Sequence, residues 1–153
     1  VISEVARNGM NEVRRSVKAL RPDTLEKMNL EAAINQVIME MVKVSGAEID
    51  FINNVGTLDF QEDEEETVYR IIQESMTNSI RHGKADRIQI RLERVYNELI
   101  IEIKDNGIGC ENIEQGFGLR HMSERLQLLN GTLQYDGTDG FMIRANIPIR
   151  WGK

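Results

Sequence analysis

The chain is short of several things, and each shortage removes a class of protein. It has one cysteine, Cys110, so no disulfide can close within it, and a reducing compartment suits it. Two prolines and no low-complexity run leave little that reads as disorder. No apolar run is long enough to span a membrane, and no signal peptide is visible. Positive charge is scarce: the net charge is −6, which argues against broad nucleic-acid binding. Two common phosphate-binding signatures are also missing. No Gly-Lys-Ser/Thr closes a Walker A loop, and no Gly-x-Gly-x-x-Gly opens a helix.

What remains is enough for one compact domain plus an appendage: 153 residues, 41% hydrophobic and 29% charged. The charge is uneven. Residues 1–22 hold five basic and two acidic side chains, net +3, which leaves −9 for the rest. The chain opens in a mid-helix pattern and without Met, as expected of an excised piece of a longer protein.

The organising stretch is residues 105–120, Asp-Asn-Gly-Ile-Gly-Cys-Glu-Asn-Ile-Glu-Gln-Gly-Phe-Gly-Leu-Arg. A strand-like alternation, residues 99–103, precedes it, and a helix-like run, residues 121–129, comes after it. So a strand ends in a carboxylate and two glycines, and two more glycines open a helix. Glycine permits positive φ and lets a ligand approach main-chain amides. The first amides of a helix lack intrahelical partners and attract anions. Asp105 beside such a loop is wrong for phosphate but suits a donor, such as a purine amino group. The outline is a nucleotide site.

Along the chain, Ile2, Val5, Ala6, Met10, Val13, Val17 and Leu20 recur at helical spacings, and Pro22 stops that helix. It suits a terminal helix packed on the rest of the domain or one strand of a dimeric bundle. Asp23 and Thr24 can cap the second helix, which covers residues 30–44 and is ended by Gly46. Residues 47–53 read as a strand, and Gly56 turns the chain. Residues 61–80 form a third helix. Its acidic first turn, residues 62–66, favours the helix N-terminus and is expected to stay solvated. Val68, Ile71, Ile72, Ser75, Met76, Ser79 and Ile80 make its buried face. At about 100° per residue, Glu74, Asn78, Arg81 and His82 share an arc of about 100° along one border of that face. Residues 86–94 alternate as a half-exposed strand and turn back through Tyr96, Asn97 and Glu98. The last helix runs to Asn130 and stops at a left-handed Gly131; a hairpin over residues 132–135 and 141–149 closes the fold. The expected architecture is α/β: a two-layer sandwich with a mostly antiparallel sheet of about five strands and about three helices on one face, preceded by the N-terminal helix.

These residues resemble a known set of motifs. Residues 69–83, Tyr-Arg-Ile-Ile-Gln-Glu-Ser-Met-Thr-Asn-Ser-Ile-Arg-His-Gly, resemble the N box of sensor histidine kinases. Residues 105–109, Asp-Asn-Gly-Ile-Gly, resemble their G1 box, and residues 116–120, Gly-Phe-Gly-Leu-Arg, their G2 box. Order and spacing are similar to the GHKL ATPase superfamily, with its Bergerat fold, which includes Hsp90, DNA gyrase B and MutL. The Leu20-Arg21-Pro22 junction, the short lid and the tail Met122-x-Glu124-Arg125 resemble the subfamily of nitrate-sensor and desaturase-thermosensor kinases.

The resemblance implies roles. Asn78 offers its amide oxygen to Mg²⁺, and Glu74 polarises the attacking nucleophile or a metal-bound water. Asp105 accepts from the adenine amino group, and Gly107 and Gly109 make room for base and ribose. Gly116, Gly118 and the helix start at Leu119 receive the phosphates of ATP, and Arg81 or His82 also reaches a phosphate. Residues 110–115 form the lid, with Cys110 a plain small residue at its hinge. His121 stands where many relatives carry glycine. The resemblance divides the chain into residues 1–22, the second helix of a dimerisation and phosphotransfer domain, and residues 23–153, the ATP-binding catalytic domain. A kinase of this kind transfers the γ-phosphoryl group to a histidine on its dimerisation helices. Neither His82, directly before Gly83, nor His121, beside the G2 box, fits that role, so the acceptor is expected upstream. The implied partners are a response regulator and a second copy in the full-length protein, with no nucleic acid and no membrane contact by this piece. The implied setting is a cytoplasmic domain of a membrane-anchored parent. Other readings are another GHKL enzyme, such as an anti-sigma-factor serine kinase, or a module that only binds a partner.

Overall fold

A computed structural model of the chain describes residues 22–109 and 118–150. The N-terminal apolar stripe, the lid residues 110–115 and Gly116 therefore lie outside the described residues. A short helix α1 (Asp23–Lys27) leads to α2 (Leu30–Ser45), β1 (Glu48–Asn54) and the long α3 (Glu62–Arg81). Then come β2 (Arg87–Val95), β3 (Glu98–Asp105), α4 (Leu119–Leu128), β4 (Thr132–Asp136) and β5 (Met142–Pro148).

The strands form one sheet in the order β1-β2-β3-β5-β4, with β1 and β2 parallel and the other pairs antiparallel. Because side chains alternate along a strand, register decides which residues share a face. Ile90 lies opposite Ile103, which lies opposite Ile143; Leu92, Ile101 and Ala145 form the next row. All six are buried, packed in one core with Val68, Ile71, Ile72 and Met76 of α3 and Leu30, Ile34 and Val37 of α2. The opposite face carries Gln89, Arg91, Glu102, Lys104 and Arg144, with Arg144 and Glu102 paired across strands at 3.6 Å. This is the two-layer α/β sandwich expected from the sequence, with a mixed, mostly antiparallel sheet of five strands.

Three local details differ from expectation. Asp23 and Thr24 do not cap the long helix; they form α1, and Asn29 caps α2 by accepting from Ala32 N at 2.8 Å. Met28 is extended, which separates the two helices. At the end of α4 it is Asn130, not Gly131, that takes the left-handed conformation, with φ 60°. Gly131 is required for a different reason: a Cβ there would lie 2.6 Å from the Asn146 carbonyl of β5.

The third difference concerns the acidic start of α3. Glu64 is not solvated but 1% exposed. Its Oε1 accepts from Gln61 N at 2.8 Å, and its Oε2 accepts from Arg150 N at 3.2 Å and Nε at 3.0 Å. Arg150 also donates to Asp63. A buried carboxylate is tolerated only when paired and hydrogen-bonded, and Arg150 supplies both. The same contact with Glu64 holds the Arg150 guanidinium above its ordinary pKa. The N-terminus of α3 is thereby tied to the segment after β5.

Candidate nucleotide site

Asp105 ends β3 and is 4% exposed. Its Oδ1 accepts from Gly107 N at 2.9 Å and from Phe141 N at 3.0 Å. Its Oδ2 is buried and has no hydrogen-bond partner among the described residues. Leaving such an atom unpaired costs roughly 1–3 kcal/mol, more when it is charged. The arrangement is therefore incomplete without a donor. Asp105 lines a narrow cleft together with Asn78, Ser79, His82, Gly83, Gly109 and Phe141.

The local sequence explains the tight fit. Asn78 and Gly83 share one end of α3: the Asn78 carbonyl accepts from both His82 N and Gly83 N, at 3.0 Å each. The Gly83 carbonyl accepts from Ile108 N at 2.8 Å. A Cβ on Gly107 would lie 2.3 Å from that carbonyl oxygen, so two glycines let the loop after β3 rest on the end of α3. Asn106 adds a clip. Its Oδ1 accepts from Asp86 N and Arg87 N at 3.1 and 3.0 Å, and its Nδ2 donates to Asp86 Oδ1 at 2.6 Å. Gly109 has φ +71°, and a Cβ there would lie 2.3 Å from the Gly137 carbonyl oxygen.

A second groove lies between α3 and α4. Glu74 and Gly118 line it with Gln73, His121 and Arg125. Gly118 precedes α4 with φ +74°, and a Cβ there would meet Glu74 Oε1 at 2.3 Å. The first turn of α4 holds no acidic residue, so its amides and dipole face this groove uncompensated from within the helix.

Of the residues singled out in the sequence, Asn78, His82, Asp105 and Gly109 line one cleft, with Gly107 beneath it. Glu74 and Gly118 meet in the neighbouring groove. Arg81 is exposed and lines neither, Leu119 is 5% exposed in the core, and Gly116 lies outside the described residues. Sequence reasoning assigned nothing to Gly83, Asn106, Phe141 or the turn before Phe141. Gly83 and Asn106 sit inside the N-box and G1-box stretches. Phe141 is 36 residues beyond Asp105 and carries no local signal, because its contribution is a main-chain amide.

Mg²⁺ is a hard ion that keeps several waters and is commonly held by one or two protein oxygens plus substrate phosphates. Among the described residues no group of His, Cys, Asp or Glu forms a cage for a metal. Asn78, 8% exposed and lining the cleft, is a neutral oxygen ligand of the kind that fits an ion arriving with phosphates.

Residues 63–150 match the family described as histidine kinase-, DNA gyrase B- and HSP90-like ATPase, and the chain belongs to that family. Among its relatives is the oxygen sensor histidine kinase NreB of Staphylococcus carnosus, 29% identical over 146 residues, which cover 92% of this chain and 42% of NreB. Another is the signal transduction histidine-protein kinase/phosphatase DegS of Brevibacillus brevis, 29% identical over 154 residues, covering 97% of this chain and 40% of DegS. The chain thus spans about two fifths of the length of these relatives. Among solved structures, the histidine kinase domain of the Erythrobacter litoralis blue-light-activated kinase superposes with a TM-score of 0.67 at 20% identity, covering 78% of this chain and 61% of that one. Acinetobacter baumannii AdeS gives 0.64 at 17% identity, covering 79% and 64%. These likenesses are of fold.

Proposed function

We propose that this chain is the ATP-binding catalytic part of a two-component sensor histidine kinase. It would bind Mg-ATP and transfer the γ-phosphoryl group to a histidine on a dimerisation helix, from which a response regulator receives it. The observation that carries this reading is the buried Oδ2 of Asp105, unpartnered among the described residues, in a cleft lined by Gly83, Gly109 and Asn78. A carboxylate oxygen can only accept, so it takes the 6-amino group of adenine and repels the 6-oxo group of guanine.

The other roles rest on position. Asn78 Oδ1 would hold Mg²⁺, which neutralises phosphate charge when bound. Gly118 and the first amides of α4 would receive the phosphates, where a side chain at position 118 would crowd Glu74. Glu74 lies at the same end of α4 and would polarise the incoming imidazole. Residues 1–22 would be the second helix of the dimerisation domain, and the acceptor histidine would stand on its partner helix. The parent protein would be a membrane-anchored homodimer with this domain in the cytoplasm. Among the described residues no helix is long and apolar enough to cross a membrane.

Phosphotransfer in trans tests the reading. The chain is mixed with the separately prepared acceptor helix pair of its parent protein and radiolabelled ATP. Label is expected on histidine, acid-labile and dependent on Mg²⁺. Glu74→Gln should reduce transfer at least about 100-fold while leaving ATP affinity within about threefold, as expected of a group acting mainly in the transition state. Equal loss of binding and transfer would remove Glu74 from the chemistry.

A further inference from the structure

The turn between β4 and β5 lies outside every motif that carried the family likeness, yet it grips the base site. Phe141 N donates to Asp105 Oδ1 at 3.0 Å, and the Phe141 carbonyl accepts from Asp105 N at 3.0 Å. Gly140 has φ +68°, and a Cβ there would lie 2.2 Å from the Asp105 carbonyl oxygen. A Cβ on Gly109 would lie 2.3 Å from the Gly137 carbonyl and 2.7 Å from that of Gly140. The turn is therefore pressed against both Asp105 and Gly109. It is latched internally, since Asp136 Oδ1 accepts from Thr138 N at 2.9 Å and Thr138 Oγ1 at 2.8 Å.

We propose that this turn, through Gly140 and the Phe141 amide, is the positioning element that makes the site select a 6-aminopurine. The proposal rests on the nucleotide reading and adds the part of the chain that sets its selectivity. The two carboxylate oxygens are chemically equal, and χ2 of an aspartate is a broad, roughly two-fold torsion. Selectivity needs one oxygen held elsewhere and the other held toward the base. Two amides converge on Oδ1, those of Gly107 and Phe141. Gly107 is two residues from Asp105, in the loop that rests on the end of α3, so its bond refers Oδ1 to that loop. Phe141 leads directly into β5, which pairs with β3. Its amide thus refers Oδ1 to the sheet, while Oδ2 has no hydrogen-bond partner among the described residues. A site that offers one fixed acceptor rejects an analogue lacking the donor far more strongly than a mobile one does.

The test compares ATP with the triphosphate of purine riboside, which has hydrogen where ATP has the amino group. Two variants are used: Gly140→Ala, and a chain in which Phe141 is replaced by its α-hydroxy acid, so that an ester oxygen takes the place of the N–H and the side chain is kept. The unaltered chain is expected to prefer ATP by about 10–100-fold, the worth of a hydrogen bond to a charged group. In both variants that ratio should fall to within about threefold of unity. If Gly140→Ala does not fold, the ester variant decides. Affinity that falls equally for both nucleotides, with the ratio intact, would mean a merely structural role and overturn the proposal. An unaltered chain that binds ATP no better than the purine analogue would overturn the site reading itself. A preference present in the unaltered chain and kept in the ester variant would overturn this proposal alone.

Discussion

The two oxygens of Asp105 differ: one is tied to two main-chain amides, and the other has no hydrogen-bond partner among the described residues. Two substitutions separate them. Asp105→Ala removes both and should weaken ATP binding by at least about 10–100-fold, read by calorimetry, with the fold kept by circular dichroism. Asp105→Asn keeps an acceptor for Gly107 and Phe141 and turns an amide donor toward the cleft. It should lose ATP affinity while gaining affinity for ITP, whose 6-oxo group accepts. A variant that favours ATP over ITP as strongly as the parent would contradict the assignment. Asn78→Ala should weaken nucleotide binding in Mg²⁺ at least about tenfold more than in EDTA; equal losses would remove Asn78 as a metal ligand. At this scale the sequence could single out side chains, such as Asp105 and Asn78, which the fold brings to one cleft. It was silent about Phe141, because an amide is present at every non-proline position and only the fold selects which one matters.

The elements show where local rules stop. The acidic first turn of α3 obeys the helix dipole, but the dipole gives no reason to bury one glutamate among five acidic residues. Glu64 caps the helix locally through Gln61 N, and its second oxygen is taken by Arg150, 86 residues away, a pairing no periodicity could reveal. Glu64→Ala leaves the amides of Gln61 and Arg150 without that acceptor. It should cost about 1–3 kcal/mol, lowering Tm by about 3–10 °C in calorimetry. A shift under about 1 °C would mean that the buried carboxylate is dispensable. The end of α4 teaches a similar lesson. Glycine after a helix suggests a left-handed stop, yet Asn130 takes that role and Gly131 is small for β5. The β4–β5 turn has its own pH signature. Hydrogen bonds from Thr138 N and Oγ1 lower the Asp136 pKa below its ordinary 3.8. A depressed carboxylate pKa contributes stability above the unfolded value, lost as pH falls through the folded one. Protection of the Thr138 amide, its exchange rate relative to the intrinsic rate at the same pH, should therefore fall below about pH 4. In Asp136→Ala that protection should be low at neutral pH and lose its acid dependence. The same exchange rate in parent and variant at neutral pH would show that the latch does not hold the turn.

For the whole molecule, alternation and glycine spacing made the strands, the helices and the one-faced core legible, since burial period and turn chemistry are local properties. The order β1-β2-β3-β5-β4 was not legible, because pairing partners are chosen in three dimensions. The site depends on that order. With β3 central between β2 and β5, Asp105 is brought against the end of α3 and the β4–β5 turn together. Three segments far apart in sequence thus converge on Asp105, whose Oδ2 is unpaired among the described residues. Adenine recognition by this oxygen is tested by titration calorimetry of the chain with a non-hydrolysable ATP analogue and its GTP counterpart, each in Mg²⁺ and in EDTA. Binding of the adenine nucleotide at least about tenfold tighter than the guanine one, and tighter in Mg²⁺ than in EDTA, is the predicted result. Equal affinity for the two bases, or no binding of either at millimolar concentration, would contradict it.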